Sequence, residues 1–277
     1  RELAPRLAAH HSDILLDARL FARVDALFEQ RDRLDLAPEQ AQLLKRTHLD
    51  FVMAGARLAP AARAQIAEIV KEHAQLTTRF SQNVLHDEST QCLWLRDLAG
   101  LPLALRAAAQ QAAGQRAADQ APGGGWAITL GRSMVVPFLT HSARRDLRQR
   151  AYELWKARGE GWGEGGAAHD NRPIARRILA LRSAQARLHG YASYADFALV
   201  DRMAGTPAAV RELLLRVWES AKARALRERG ELEALARADG LAAIAPWDWR
   251  FYAEKLRQQR YQLDDAELKP YFALDRM

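Results

Sequence analysis

Apolar residues return at three- and four-residue intervals along most of this chain. Between Arg63 and Val84 they fall at Ile66, Ile69, Val70, Leu76, Phe80 and Val84, which is one stripe of a helix. Thr206-Pro207 is a start signal, with Thr as the cap and Pro at the first helical position. Val210, Leu213, Leu214, Val217, Trp218 and Ala221 follow at the same spacing, so a helix is predicted from there to about Ala238, ending before Gly240. Pro38, ahead of Leu43, Leu44 and Thr47, opens another. Asn171-Arg172-Pro173, ahead of Ile174, Ile178 and Leu181, opens a further one. The pattern predicts about nine or ten helices. Strand signal is scarce. Trp126 to Leu130 after Gly123-Gly124-Gly125 is the best candidate, and Val135 to Leu139 is a second that Pro137 demotes to an edge or an extended loop. The expectation is an all-α fold with one short hairpin formed by those two segments.

Two stretches interrupt the helices, Pro122 to Gly125 and the glycine-rich run Gly159 to Gly166. Neither has the length of an interdomain linker, and no side-chain pattern repeats at a fixed period. Residues 1–277 are therefore read as a single helical lobe, with a subdivision near 120–125. A hydrophobic share of 49% and a charged share of 27% are ordinary for a globular protein, and no apolar run reaches membrane length. The start at Arg1-Glu2-Leu3 has neither an initiator Met nor a leader. The expectation is a cytoplasmic chain whose two ends are cut from something longer.

Charge changes this picture little. The net +7 comes from 41 basic and 34 acidic residues, but only six of the basic ones are lysine. The arginines spread along the helices beside Glu and Asp. The one cluster, Arg144, Arg145, Arg148 and Arg150, is read as a solvated helix face rather than a phosphate site, so neither nucleic acid nor membrane is expected as a partner. The lone Cys92 excludes an intrachain disulfide and a cysteine-based zinc cluster. Beside Leu93-Trp94-Leu95 it reads as a small buried hydrophobe.

Candidate chemistry is sparse. The glycines from 159 to 166 lack the Lys-Ser/Thr of a phosphate loop and carry two Glu, so a flexible surface loop is expected. The histidines are His10, His11, His48, His73, His86, His141, His169 and His189, and none stands three or four residues from another. His86-Asp87-Glu88 and His169-Asp170 offer single ligands only, so no metal site is assigned. Ser133 and Ser142 have no base beside them, and no catalytic residue is assigned. The aromatic residues Trp247, Trp249, Phe251, Tyr252, Tyr261, Tyr271 and Phe272 are read as packing surface rather than substrate contact, and the substrate-binding residues stay unknown.

Several stretches nevertheless follow one another in a telling order. They are Phe80-Ser81-Gln82-Asn83-Val84-Leu85, Trp126 to Leu130 with Pro137-Phe138-Leu139, Arg158-Gly159 with Asp170-Asn171, and Ile178 to Arg182. Gly190-Tyr191-Ala192-Ser193-Tyr194-Ala195, Asp201-Arg202-Met203-Ala204, Trp247-Asp248-Trp249 and Lys269-Pro270-Tyr271-Phe272 complete the series. It resembles the thimet oligopeptidase and peptidyl-dipeptidase family of zinc metallopeptidases, in wording closer to the bacterial peptidyl-dipeptidases and oligopeptidase A-like members than to mitochondrial ones, from about Leu15 to Phe272. The resemblance implies a neurolysin-like, two-lobed helical shell around a channel that admits short unstructured peptides. It also implies zinc held by a His-Glu-x-x-His motif and a downstream Glu in the full-length parent. No His-Glu-x-x-His occurs in this chain, so no catalytic or metal residue is carried over and no zinc is expected here. What the resemblance implies is one wall of the channel, with the catalytic part as its missing C-terminal partner and self-association once that part is absent. The alternative reading is a catalytically empty helical binding or scaffold domain, with nucleic-acid binding ranked below it.

Overall fold

The computed structural model describes residues 10–11, 13–116, 125–162, 165–262 and 269–272. Helices α1 (Ala18–Glu29), α2 (Pro38–Ala54) and α3 (Pro60–Thr90) come first, followed by strand β1 (Cys92–Leu95), α4 (Leu103–Gly114) and β2 (Trp126–Thr129). Then come α5 (Arg132–His141), α6 (Arg145–Lys156), α7 (Asn171–Leu188), α8 (Tyr194–Leu199), α9 (Pro207–Ala238) and α10 (Trp249–Tyr261). The fold is mainly α, and no described helix is long and apolar enough to cross a membrane.

Local chemistry sets the helix limits. The Asp17 carboxylate accepts the amides of Arg19 and Leu20 at 2.8 and 2.9 Å, capping α1. Thr206 Oγ1 accepts the Ala209 amide at 3.2 Å and starts α9 where the Thr-Pro signal predicts. At the other end Gly240 takes φ +83°. Its amide bonds to the Arg237 carbonyl and the Leu241 amide to the Ala236 carbonyl, the paired bonds of a glycine-terminated helix.

The chain divides into two compact units, each made of two segments. One comprises Arg1–Thr78 with Ala175–Leu215, the other Arg79–Ile174 with Arg216–Met277. The subdivision expected near 120–125 falls almost wholly on 117–124, outside the described residues. In the first unit α1 packs on α2 through rings. Phe28 stacks on His48 at 3.8 Å and Phe21 on Phe51 at 5.9 Å. His48 Nε2 lies 2.9 Å from Asp25 Oδ1, which also accepts Arg57 at 2.8 Å. Arg177 meets Glu72 through two 2.7 Å bonds.

In the second unit the core gathers Leu93, Leu95, Leu105, Ile128, Val135 and Phe138 around a two-stranded antiparallel sheet. Its register pairs Cys92 with Thr129 and Leu95 with Trp126. The strand at Trp126 is where the sequence predicts it, but its partner is not. Val135 to Leu139 lies inside α5, and β1 pairs with β2 instead. Val135, Phe138 and Leu139 are the buried residues of α5, and that spacing of three and four is helical, so one face meets the core. Pro137 leaves only the Ser133 carbonyl without its helical donor, which a short helix tolerates. β1 buries Leu93 and Leu95 in strict alternation. A second cluster, Leu232, Ala236 and Tyr252, joins the C-terminal end of α9 to α10.

Candidate functional site

Two buried polar nodes in the second unit gather Asn83, Gly159, Asn171 and Asp248 of the motif series. The first centres on Asp248, which is fully buried, at the start of α10. One oxygen accepts Arg148 at 2.7 Å, the other accepts Arg145 at 3.0 Å and the Ala245 amide at 3.0 Å. Arg148, 2% exposed, also donates to the Ser142 carbonyl at 2.8 Å and lies 4.2 Å over the Phe251 ring. Burial by itself would raise the Asp248 carboxyl. The Ala245 amide and the two guanidinium groups outweigh it and hold the group below the ordinary carboxylate range.

The second node ties α3 to the corner after α6. Asp87, 1% exposed, accepts the Gly159 amide at 2.7 Å, and the Gly159 carbonyl accepts the Asn171 amide at 2.7 Å. Asn83 donates to Asn171 Oδ1 at 2.8 Å, and Asn171 donates to the Phe80 carbonyl at 3.0 Å. Beside them Arg158 pairs with Glu88. Gly159 has φ +74°, and a Cβ there would meet Asn171 Nδ2 at 2.5 Å.

These nodes correct two expectations. Arg148 is not on a solvated face: it is buried, and it and Arg145 turn to Asp248, while Arg144 pairs with Asp146 at 2.7 Å. Gly159 is not part of a free surface loop. It is buried, with its amide committed to Asp87, because α6 must turn where only a left-handed residue without a side chain fits. Gly163 and Glu164 lie outside the described residues. His86 and His169, far apart in sequence, stack at 3.8 Å with 6° between their planes. Ring nitrogens project their lone pairs in the ring plane, so stacked imidazoles do not converge on one ion.

The remaining candidates scatter. Ser133 is exposed and Ser142 buried. His189 packs against Phe197 at 4.8 Å, and burial lowers its pKa. Among the described residues no three His, Cys, Asp or Glu side chains are grouped to hold a metal ion. The zinc that the resemblance implies therefore does not fit the described part of this chain. The terminal aromatics split in two. Tyr252 is buried, while Trp247 and Phe251 pack partly buried. Tyr261, Tyr271 and Phe272 are exposed, and Trp249 and Tyr261 line a groove of about 200 Å³ with Leu232 and Leu256. A larger groove of about 480 Å³ runs along α6 between Arg150, Lys156, Glu160 and Trp162.

The sequence profile of Peptidase family M3 matches residues 138–277, which contain Arg148, Gly159, Asn171 and Asp248. The chain belongs to peptidase family M3. It is 36% identical over 273 residues to the dipeptidyl carboxypeptidase of Salmonella typhimurium, covering 97% of this chain and 39% of that protein. The dipeptidyl carboxypeptidase of Escherichia coli is 34% identical over 280 residues, with 99% and 40% covered. Oligopeptidase A of Haemophilus influenzae is 31% identical over 259 residues, with 91% and 37% covered. The chain thus spans about two fifths of the length of the M3 peptidases it matches. In this M3 chain the motif residues Asn83, Gly159, Asn171 and Asp248 join helices to one another.

Proposed function

We propose that this chain is the non-catalytic helical portion of a zinc-dependent M3 peptidase of the cytoplasm. In this reading it forms one wall of the channel through which short unstructured peptides reach the metal, for release of dipeptides or cleavage within the peptide. The observation that carries the reading is the use of the motif residues. Asp248, through its pair with Arg148, and Asn83, Asn171 and Gly159 are committed to holding helices together, while no metal-ligand group forms among the described residues. Membership in the family and a span of about two fifths of its relatives support a supporting role beside a catalytic part encoded elsewhere in the parent. Rigid helices fixed by buried polar pairs suit a wall that must keep its shape while peptides pass.

Hydrolysis of an internally quenched short peptide tests this. The full-length parent should cleave it and lose activity to a chelator, and residues 1–277 should not cleave it. Chelator-sensitive cleavage by pure 1–277 would overturn the assignment of a non-catalytic wall. A full-length parent without activity would favour a helical binding domain.

A further inference from the structure

The wall reading leaves unused the groove of about 480 Å³ along α6, all of whose lining belongs to the second unit. Its volume is that of a small-ligand site. Arg148 and Ala151 turn one side of α6 to the core, and the groove follows the other. Leu154 and Trp162 give it apolar surface, and Trp162 is 78% exposed. Four charges stand beside them, on Arg150, Glu153, Lys156 and Glu160. Arg150 and Lys156 each lie three residues from Glu153, a spacing at which helical ion pairs form. Arg257 and Glu254 make such a pair at 2.7 Å. Here neither pair is made. Glu153 accepts Gln149 at 2.8 Å instead, and among the described residues both cations lack a partner. The groove thus combines two uncommitted cations, two carboxylates and an open indole face.

We infer that this groove binds a short free peptide with both termini charged. Its carboxylate end pairs with Arg150 and Lys156, its ammonium end with Glu153 or Glu160, and a side chain lies against Leu154 and Trp162. Charge complementarity selects this occupant. A wholly acidic ligand meets repulsion from two carboxylates, and a wholly basic one from two cations. An uncharged apolar ligand strips water from all four groups without replacing it. A zwitterion answers both signs at once. The inference rests on the proposed function, since short peptides are what the parent handles, and it gives the helical portion a peptide-binding role of its own.

Photo-crosslinking of the full-length parent with the dipeptide alanyl-p-benzoylphenylalanine tests the groove. Peptide mapping should place label on the segment that carries Leu154 and Trp162. Acetylating the amino end or amidating the carboxyl end should each lower that label about fivefold, the worth of one partly exposed ion pair. Arg150→Glu and Lys156→Glu should do the same, and both side chains are exposed, so neither change disturbs the core. If a variant does not fold, the blocked dipeptides on the wild type still decide. Label found only on other segments overturns the inference. Equal labelling by the free and blocked dipeptides assigns the groove to apolar contact alone and overturns it too. The quenched-peptide assay on the same sample separates the two claims. An active parent with an unlabelled groove sinks the groove alone, and an inactive parent with a labelled groove sinks the peptidase reading alone.

Discussion

Asp248→Ala leaves Arg148 buried without its carboxylate, and removing one partner of a buried ion pair costs about 3–5 kcal/mol. Urea unfolding should show a loss of that order. Asp248→Asn adds a test by pH. The native carboxyl is depressed, so it contributes stability in full above its unfolded value, about 3.9. That contribution is lost as the pH falls through the folded value. The stability gap between wild type and Asp248→Asn should therefore be widest near neutrality and close below about pH 3.9. Gly159→Ala should cost more than Gly190→Ala. Both positions have positive φ, which strains an alanine by about 1–2 kcal/mol, but only the Gly159 Cβ meets a buried side chain. Each kcal/mol moves Tm by about 2–4 °C in a chain of this size, so thermal scans resolve the difference. The sequence displays these residues without revealing their use. Arg148 and Asp248 stand 100 residues apart, Asn83 and Asn171 88, and Asp87 and Gly159 72. Local spacing carries no sign of such partners.

Elements follow the same division between local and distant information. The starts at Pro38, Asn171 and Pro207, and the end at Ala238, are written in adjacent residues, because caps and glycine turns act within four residues. The hairpin is not. β2 pairs with a strand more than thirty residues earlier, and β1 is a four-residue run whose alternation is too short to announce itself. Val135-Val136 suggests a strand by its β-branched residues, yet the burial of Val135, Phe138 and Leu139 makes it a helix, so tertiary packing overrides local preference. Cys92 offers a check on β1. Burial pushes its thiol up, with Arg116 partly opposing, so iodoacetamide at neutral pH should modify it about tenfold more slowly than a free cysteine. Urea should restore the ordinary rate; fast labelling of the native chain would contradict a strand in this place.

For the molecule as a whole, the exposed side chains Leu213, Leu214, Leu215, Val217, Trp218 and Leu226 of α9 set solution behaviour. Apolar patches above a few hundred Å² are rare on monomers, so residues 1–277 alone should self-associate. Sedimentation across a concentration series should show the weight-average mass rising, and Leu214→Glu with Trp218→Glu should return it toward the monomer. A wild type that stays monodisperse throughout would count against the expectation. The family was legible in the sequence because the motif series keeps its order along the chain. The partition into units was not, because each unit joins two separated segments.

That interleaving also schedules how the protein is made. The first unit has all its residues once Leu215 has left the ribosome, whereas the second must await the segment from Arg216. Translation at about 5–20 residues per second delivers Asp248 roughly 5–20 s after Arg148. Throughout that interval the nascent chain holds a cation destined for burial with no counter-charge from α10. The second unit is therefore completed late, since the cluster of Leu232, Ala236 and Tyr252 and the counter-charge of Arg148 arrive only with the last segment.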